Sequence, residues 1–214
     1  GTDSLAAAYQ YTMNLNTSFT GDDNLYVRLR SGNGSGNFTT KTFGTYLSMG
    51  TGYSDSLKVD KIWYTFPVGE SNTVWVGPKI ENYYMHGTTP SIYQAVTKQF
   101  TLGGNGAAYG ASTNPGIGWA YTADNGFAIS SNAVSQEGDA TGGWGTNESK
   151  TSWATQIGYT KPNYSASVIL NMKYNGWTDS YYTTPLGKAR DNNANSTNIG
   201  LRGWWRPDDS GVAV

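Results

Sequence analysis

The sequence is poor in the residues that carry most protein chemistry. Its 214 residues include no cysteine and a single histidine, His86, which excludes disulfides, thiolate metal sites and cysteine nucleophiles. Only 14% of the residues are charged, against about 25% in an average domain, and 14 basic side chains nearly balance 15 acidic ones. Such a balance produces no field that attracts polyanions, so we predict no nucleic-acid partner.

Long apolar runs are also absent. Uninterrupted apolar stretches, such as 168–170, are far shorter than the ~20 residues that a membrane-spanning helix needs. The chain is filled instead with small and polar residues, and it carries 28 Gly, 16 Tyr and 8 Trp. This composition excludes a bundle of spanning helices.

Alternation of apolar and polar residues with a period of two is the main pattern present. It is clearest in segments 7–16 and 24–31, and it recurs in segments 55–68, 72–80, 117–121, 127–131, 153–159, 164–174 and 199–205. Period-two alternation is typical of a strand with two different faces. We therefore predict an all-β fold of about ten antiparallel strands with no convincing helix, and a bulge where the alternation blurs around Lys61–Tyr64.

The connections between these segments alternate in length. Short turns at 69–71 and 124–126 alternate with long polar loops at 32–54, 81–116, 135–148 and 176–196. Short turns at one end and long loops at the other are typical of outer-membrane barrels.

Aromatic residues cluster where the strands end. The clusters are Tyr9 and Tyr11, Trp63 and Tyr64, Tyr159 and Tyr164, Tyr181 and Tyr182, and Trp204 and Trp205. In membrane barrels such positions form an interfacial girdle, although aromatic residues also favour strands and fill the cores of soluble sheets.

Charged side chains occupy polar-face positions of strands whose other face is apolar. They are Arg28, Arg30, Lys58, Asp60, Lys79, Lys173 and Arg202. In a wide barrel this face would line water and these residues would line the pore, where charge influences ion selectivity. In a soluble sandwich the same residues would be ordinary surface charges, and the alternation alone does not distinguish the two.

Catalytic and cofactor signals are weak. Of the four glutamates, only Glu81 directly follows a strand, so no pair of acids suited to glycoside hydrolysis is evident. His86 has no accompanying serine motif, and the isolated pairs Asp22–Asp23 and Asp208–Asp209 form no metal-ligand series. We predict no enzyme activity, no metal and no other cofactor.

Three segments carry a resemblance to a known family. Residues 13–29 contain Met-Asn-Leu-Asn-Thr-Ser-Phe-Thr-Gly and then Leu-Tyr-Val-Arg-Leu, residues 59–69 read Val-Asp-Lys-Ile-Trp-Tyr-Thr-Phe-Pro-Val-Gly, and residues 198–207 contain Gly-Leu-Arg-Gly-Trp-Trp. Together they resemble outer-membrane porins of cyanobacteria that carry a surface-layer-homology domain, the iron uptake porins. The resemblance implies a channel in the outer membrane for passive diffusion of small hydrophilic solutes and inorganic ions.

The resemblance also implies an organisation and partners. Residues 1–214 would be the N-terminal half to two thirds of a transmembrane antiparallel β-barrel, with the remaining strands and a peptidoglycan-binding N-terminal domain outside this chain. Segment 81–116 is similar in position to a loop that folds into the pore, which makes Glu81, Tyr83, Tyr84 and Lys98 candidates for the constriction. The implied partners are outer-membrane lipid, two further copies in a homotrimer, and peptidoglycan.

Two alternatives remain open. The first is a soluble carbohydrate-binding β-sandwich whose exposed Trp and Tyr side chains stack on sugars. The second is a jelly-roll glycosidase, whose activity would be lost on the change Glu81→Gln. A porin would fractionate with membranes and require detergent, whereas a lectin-like module would remain in solution.

Overall fold

Nine β-strands make up most of the described structure. The computed structural model describes residues 7–34, 53, 55–88, 106–110, 113–136, 143–144, 146, 149–175, 177 and 195–207. The strands are β1 (Gln10–Thr17), β2 (Asn24–Gly32), β3 (Lys58–Val68), β4 (Asn72–Ile80), β5 (Asn114–Thr122), β6 (Phe127–Ser135), β7 (Thr151–Lys161), β8 (Tyr164–Lys173) and β9 (Ser196–Trp205).

The strands form one sheet in sequence order. Each strand pairs antiparallel with the strands before and after it, so the order is β1 to β9 without crossovers. Among the described residues β1 and β9 each have a single partner, and the described sheet is therefore open. The predicted all-β antiparallel fold is confirmed, with nine described strands where about ten were expected, and the open sheet is consistent with an incomplete barrel.

The connections divide between the two ends of the strands. Four short turns, 18–23, 69–71, 123–126 and 162–163, lie at one end, which we call the turn edge. The connections 33–57, 81–113, 136–150 and 174–195 lie at the opposite end, the loop edge. The predicted alternation of short and long connections is confirmed, although β5 begins at Asn114 and so shortens the longest connection slightly.

The turn between β1 and β2 closes around one carboxylate. Asp23 accepts hydrogen bonds from the backbone nitrogens of Phe19 and Thr20 at 2.9 and 2.8 Å. The hydroxyls of Tyr64 and Ser18 donate to the same carboxylate at 2.5 and 2.7 Å. The hydrogen bonds from Tyr64 and Ser18 hold the pKa of Asp23 well below its usual range, so the carboxylate is ionised and fixes the turn to β3.

Two bulges interrupt the register of β3. Arg28 pairs with Lys61 whereas Leu29 pairs with Val59, so Asp60 is the extra residue. A second shift lies between Ile62 and Tyr64 against β4. The bulge predicted from the blurred alternation is confirmed, and it brings several charged side chains onto one face.

The two faces of the sheet have inverted polarity. One face, which we call the outer face, is exposed and apolar, with Ile157 and Val168 about half exposed and Leu201 78% exposed. The opposite, inner face is buried but carries polar and small side chains, including Ser130, Ser152 and Ser167. A sheet in a water-soluble domain places its apolar side chains against the core, so this arrangement is the reverse of the usual one.

Aromatic side chains of the outer face lie along the turn edge. They are Phe19, Tyr64, Phe66, Tyr121, Phe127, Tyr159, Tyr164 and Trp205. Neighbouring members contact one another, with ring centroids 5.6 Å apart for Tyr64 and Phe66 and 6.3 Å apart for Tyr159 and Tyr164. Strand alternation turns Trp63 and Trp204 to the inner face, and Tyr181 and Tyr182 lie outside the described residues.

The connection between β4 and β5 packs on the inner face. Its described parts, residues 81–88 and 106–110, contain a 3₁₀ helix at Asn82–Met85 and a four-residue helix α1 at Gly106–Tyr109; we call them the inserted segment. Two apolar clusters lie between the inserted segment and the sheet, one around Met85 and one around Tyr109. The sequence predicted no helix here. In the described part of the chain, no helix has the length and apolarity to cross a membrane.

We predict that alanine at Gly126 destabilises the fold more than alanine at Gly21. Both glycines have positive φ angles, +98° and +101°, and a side chain in this region is strained by about 1–3 kcal/mol. A Cβ at Gly126 would also lie 2.2 Å from the carbonyl oxygen of Thr160, whereas nothing lies within 4 Å of one at Gly21.

Urea unfolding of both variants, followed by tryptophan fluorescence, measures the difference. The Gly126→Ala variant should lose at least about 1 kcal/mol more than the Gly21→Ala variant because overpacking adds to the strain. Equal losses would contradict the described packing of the β5–β6 turn against β7.

Candidate functional site

Glycines on the inner face allow the inserted segment to approach the sheet closely. A Cβ at Gly158 would lie 2.0 Å from the hydroxyl oxygen of Thr88, and one at Gly118 would lie 2.7 Å from the sulfur of Met85. At Gly200 it would meet the Cβ of Ala108 at 2.8 Å. Because real Cβ contacts are longer than these distances, the segment can occupy this position only over glycine.

Amide side chains of the sheet hold the inserted segment in place. This amide ladder consists of Asn132 on β6, Gln156 on β7 and Asn171 on β8. Asn82 donates to the Asn132 side chain at 2.8 Å, and Gln156 accepts from the backbone nitrogen of Thr88 at 3.0 Å. Asn171 donates to the carbonyl of Ala108 at 3.1 Å. All three ladder residues are almost fully buried, so these bonds replace the water that the polar groups would otherwise bind.

A buried ion pair joins the start of the inserted segment to β3. The ammonium group of Lys61 lies 2.7 Å from a carboxylate oxygen of Glu81, and the two side chains are only 3% and 9% exposed. Lys61 also donates to the hydroxyl of Thr113 at 2.7 Å, and the Tyr83 hydroxyl donates to Glu81. Burial and the Glu81 charge raise the pKa of Tyr83 well above its usual value, so the hydroxyl remains a donor.

Four of the predicted pore-lining residues lie together beside this pair. The guanidinium of Arg28 lies 2.5 Å from Asp60, and that of Arg30 lies 3.7 Å from the same carboxylate. Tyr53 donates to Asp60 at 3.0 Å, and the ammonium of Lys58 lies 5.4 Å from the Tyr53 ring centroid. We call Arg28, Arg30, Lys58, Asp60, Lys61 and Glu81 the charge cluster. It holds four cations and two carboxylates, which leaves an excess of positive charge.

The charge cluster contacts the predicted constriction residues directly. Arg28 donates to the hydroxyl of Tyr84 at 3.3 Å, and the Lys61 ammonium lies 5.4 Å from the Tyr84 ring centroid. The structure therefore brings Glu81, Tyr83 and Tyr84 together with the residues of β2 and β3. These three residues form the base of the inserted segment, where it leaves the sheet.

Lys173 and Arg202 lie on the same face but on β8 and β9. Lys173 pairs in register with Ser152, and Arg202 pairs with Ser167, both of which are buried. The Lys173 ammonium is 5.8 Å from the Trp177 ring centroid, and the Arg202 guanidinium carbon is 5.6 Å from that of Tyr109. Lys173 lies near the loop edge of β8 and Arg202 nearer the turn edge of β9, and strands β4 to β7 separate both from β2 and β3 of the charge cluster.

One predicted site residue, Lys79, lies on the other face, and another lies outside the described residues. Lys79 was expected on the face of Thr73 and Trp75, but the register shift in β4 pairs it with Ile62, which places it exposed on the outer face. The prediction that Lys79 lies on the inner face is therefore wrong. The extra residue of a bulge reverses the alternation of faces in the residues that follow it. Lys98 lies outside the described residues.

The residues that fasten the inserted segment were not predicted from the sequence. Lys61 was passed over because it lies in the stretch where the alternation blurs, and the bulge at Asp60 is what turns it inward. The amide ladder could have been found, since Asn132, Gln156 and Asn171 occupy polar-face positions of clearly alternating strands. A polar residue on the face opposite an apolar row is expected to be exposed to solvent, because the sequence pattern does not indicate that another segment covers that face.

The chemistry available on the inner face is hydrogen bonding and charge. Within the described ranges, no group of three His, Cys, Asp or Glu side chains could hold a metal ion. Glu81 is engaged by Lys61 and Tyr83, and Asp60 by two arginines, so both carboxylates act as counter-ions in the described arrangement.

The single histidine is buried beneath the inserted segment. Asn132 lies 3.2 Å from Nδ1 of His86, and the Tyr109 ring packs edge-on with its centroid 6.1 Å away. Burial, assisted by the positive charge of Arg202, lowers the pKa of His86 to about 3. The imidazole is therefore neutral at neutral pH, and protonating it would place a charge where the described surroundings offer only another cation.

We predict that stability falls as the pH is lowered below about 6.5 because of His86. The folded state has the lower pKa, so the unfolded chain binds the extra proton first and is favoured between pH 6.5 and 3. The slope approaches about 1.4 kcal/mol per pH unit. The free energies of unfolding from urea titrations at pH 7 and pH 5 should differ by up to about 2 kcal/mol more for the wild type than for the His86→Gln variant. Parallel pH profiles would contradict the burial of His86.

We predict a strongly non-additive response when the Lys61–Glu81 pair is broken. Either Glu81→Gln or Lys61→Met should lower the free energy of unfolding by about 3–5 kcal/mol, because each leaves an unpaired charge buried. The double variant should recover most of that loss. A double-mutant cycle by urea unfolding measures the coupling, and additive losses would mean that the two charges are not paired.

Comparison with known proteins gives no family assignment. No protein-family model matches the chain, and no curated protein matches it.

Proposed function

We propose that this chain forms part of the wall of an outer-membrane porin, a water-filled channel for passive diffusion of small hydrophilic solutes and inorganic ions. The inverted polarity of the sheet carries the proposal. In the lipid-spanning part of such a barrel, apolar side chains face the acyl chains and polar side chains face the lumen. The described strands have this arrangement from β4 to β9.

The dimensions of the apolar face support a membrane location. The apolar row of β8 from Tyr164 to Met172 covers nine residues, within the ~9–11 that a tilted transmembrane β-strand needs. The outer-face aromatic residues follow the turn edge, where aromatic rings of membrane barrels lie at the lipid–water interface. An apolar surface this extensive on a soluble monomer would favour aggregation.

The inserted segment supports a channel with a restricted lumen. It folds back over the face that would contact water and brings Tyr83 and Tyr84 to the wall beside the charge cluster, to which Glu81 belongs. In this proposal the segment narrows the pore, and the charge cluster, Lys173 and Arg202 influence which ions enter it. By the resemblance, the complete channel is a trimer linked to peptidoglycan through another domain.

The carbohydrate-binding sandwich is less well supported. A sandwich packs the apolar faces of two sheets together at a separation of about 10 Å. The described strands form one sheet, and within the described ranges its apolar face is not covered by another element. Sugar binding by exposed aromatics would leave this surface unexplained.

Two arginine substitutions at different depths of the outer face test the proposal. Leu170→Arg should destabilise the protein in lipid vesicles by about 2–4 kcal/mol if Leu170 lies near the bilayer midplane, whereas Val68→Arg at the turn edge should cost about 0–1 kcal/mol. Both residues are exposed on the outer face, at 37% and 50%.

Folding yield and urea titrations in vesicles measure both variants. On an ordinary water-exposed surface neither arginine would matter by more than about 0.5 kcal/mol. Equal effects of the two substitutions, or stable protein that remains in the aqueous fraction, would contradict the membrane location.

We predict that the charge cluster biases conduction toward anions. Changing Arg28 and Arg30 together to Gln removes two positive charges and leaves Asp60 less neutralised, so the zero-current potential in a salt gradient should shift toward cation preference. The shift should be larger at low salt, since the screening length is ~30 Å at 0.01 M but ~3 Å at 1 M.

Lys79→Gln provides the matched control. It removes one positive charge from the outer face, opposite Ile62, and should leave the potential unchanged. If Lys79→Gln shifts the potential in planar bilayers and the paired arginine substitutions do not, the assignment of inner and outer faces is reversed.

A further inference from the structure

Cations lie directly opposite one another where β2 pairs with β3. The register places Arg28 opposite Lys61 and Arg30 opposite Lys58, so each of the two pairs joins like charges on neighbouring strands. Like charges in this position destabilise a sheet. Such pairs are tolerated where negative charge lies close to them, and the two pairs differ in how much negative charge they have.

The pair of Arg28 and Lys61 has two counter-ions of its own. Nε and Nη2 of Arg28 both lie 2.5 Å from one carboxylate oxygen of Asp60. The ammonium of Lys61 lies 2.7 Å from a carboxylate oxygen of Glu81. Each cation of this pair is therefore matched by a carboxylate.

The pair of Arg30 and Lys58 has only a share in one counter-ion. Nε of Arg30 lies 3.7 Å from the Asp60 oxygen that Arg28 already contacts, and this nitrogen is buried without a hydrogen-bond partner. Lys58 is exposed and forms no ion pair with a described carboxylate. Its ammonium lies 5.4 Å from the centroid of the Tyr53 ring. The positive charge of this pair is therefore incompletely balanced.

The adjoining connections add no free carboxylate to this region. The connections 33–57 and 81–113 join the strands at the same edge, and their sequences contain only two acidic residues, Asp55 and Glu81. Asp55 accepts a hydrogen bond from the hydroxyl of Tyr9 at 2.5 Å, and Glu81 is paired with Lys61. The charge cluster therefore keeps two cations in excess, and Arg30 and Lys58 are the two that lack a carboxylate of their own.

We propose that Arg30 and Lys58 form a subsite for a phosphate group, carried either by inorganic phosphate or by a small phosphate ester. A phosphate monoester has a charge of about −1.5 to −2 at neutral pH, which matches the two cations in excess. Its oxygens accept hydrogen bonds from a guanidinium and an ammonium group. Because the two cations face the proposed lumen, the assignment rests on the proposed function and names a class of solute that the channel binds during passage.

Two neighbouring side chains position the subsite. The hydroxyl of Tyr53 donates to Asp60 at 3.0 Å, and the Tyr53 ring contacts the Lys58 ammonium. Asp60 in turn lies beside the guanidinium of Arg30. The cations are thus held near one another by groups that remain in place when an anion binds.

Urea unfolding of the detergent-solubilised protein tests the subsite without a membrane. Sodium phosphate replaces sodium chloride at constant ionic strength and neutral pH, and it should raise the urea midpoint of the wild type, because a ligand of the folded state stabilises it. Lys58→Gln should require at least about tenfold more phosphate for the same rise, since it removes a hydrogen bond to a charged group. Lys79→Gln, which removes a cation from the outer face, should respond like the wild type.

Substitutions in phosphate-free buffer test the repulsion between the two cations. Lys58→Gln should have a urea midpoint equal to or above that of the wild type, because it removes the charge opposite Arg30. Lys58→Glu should have a higher midpoint still, and phosphate should add nothing to it, since the carboxylate supplies the negative charge. A lower midpoint for both variants, or an equal phosphate response of Lys58→Gln and Lys79→Gln, would overturn the subsite.

Planar bilayers separate failure of the subsite from failure of the proposed function. Inorganic phosphate, added at constant ionic strength, should reduce the chloride current of the wild type and of Lys79→Gln in a saturable manner. Lys58→Gln should require at least about tenfold more. The same reduction by glycerol phosphate would show that an esterified phosphate group binds, and reduction by inorganic phosphate alone would confirm the subsite for the free ion.

The remaining outcomes decide between the two proposals. A channel whose current is insensitive to both phosphates, in a protein that phosphate does not stabilise, overturns the subsite and leaves the channel intact. Protein that phosphate stabilises through Lys58 but that conducts no ions overturns the channel and leaves the subsite intact.

Discussion

Hydrogen bonding between the amide ladder and the inserted segment is the constraint on which the arrangement of the sheet depends. A segment folded against a sheet loses water from its backbone groups, and those groups must find partners in the protein. Asn132, Gln156 and Asn171 supply partners, and glycines at 118, 158 and 200 supply the space. Beneath the inserted segment the inner face is therefore polar or small around these contacts, and among the described residues bulky apolar side chains occur there only in the clusters around Met85 and Tyr109 and at the two inner-face tryptophans, Trp63 and Trp204.

Charged side chains are distributed unevenly over the inner face. Carboxylates occur where β2, β3 and the base of the inserted segment meet, and each is engaged by a cation. The Lys61 and Glu81 side chains are almost fully buried, so their ion pair is not an incidental surface contact. Removing either partner would leave the charge of the other buried and unpaired. Toward β8 and β9 the described charges are all positive.

The fold was largely predictable because its signals are local. Period-two alternation and turn-forming residues identified the strands, and the lengths of the connections identified the two edges. The bulge near Lys61 was predicted, but its consequences were not. A bulge inserts one extra residue into a strand, and beyond it each side chain lies on the face opposite to the one that simple alternation predicts. The faces on which Lys61 and Lys79 lie therefore depend on where the extra residue is inserted in the strand. That position depends on pairing with β2 and β5, which residue spacing alone does not specify.

The sequence by itself determined the all-β class, the antiparallel order of neighbouring strands and the segregation of apolar from polar side chains, because each depends on residues close together in the chain. Only the tertiary structure decided which face is covered. Burial of Asn132 or exposure of Leu201 is set by the inserted segment, which joins β4 to β5 but packs against β6, β8 and β9. Contacts between residues distant in sequence leave no periodic signal, and the site consists almost entirely of such contacts.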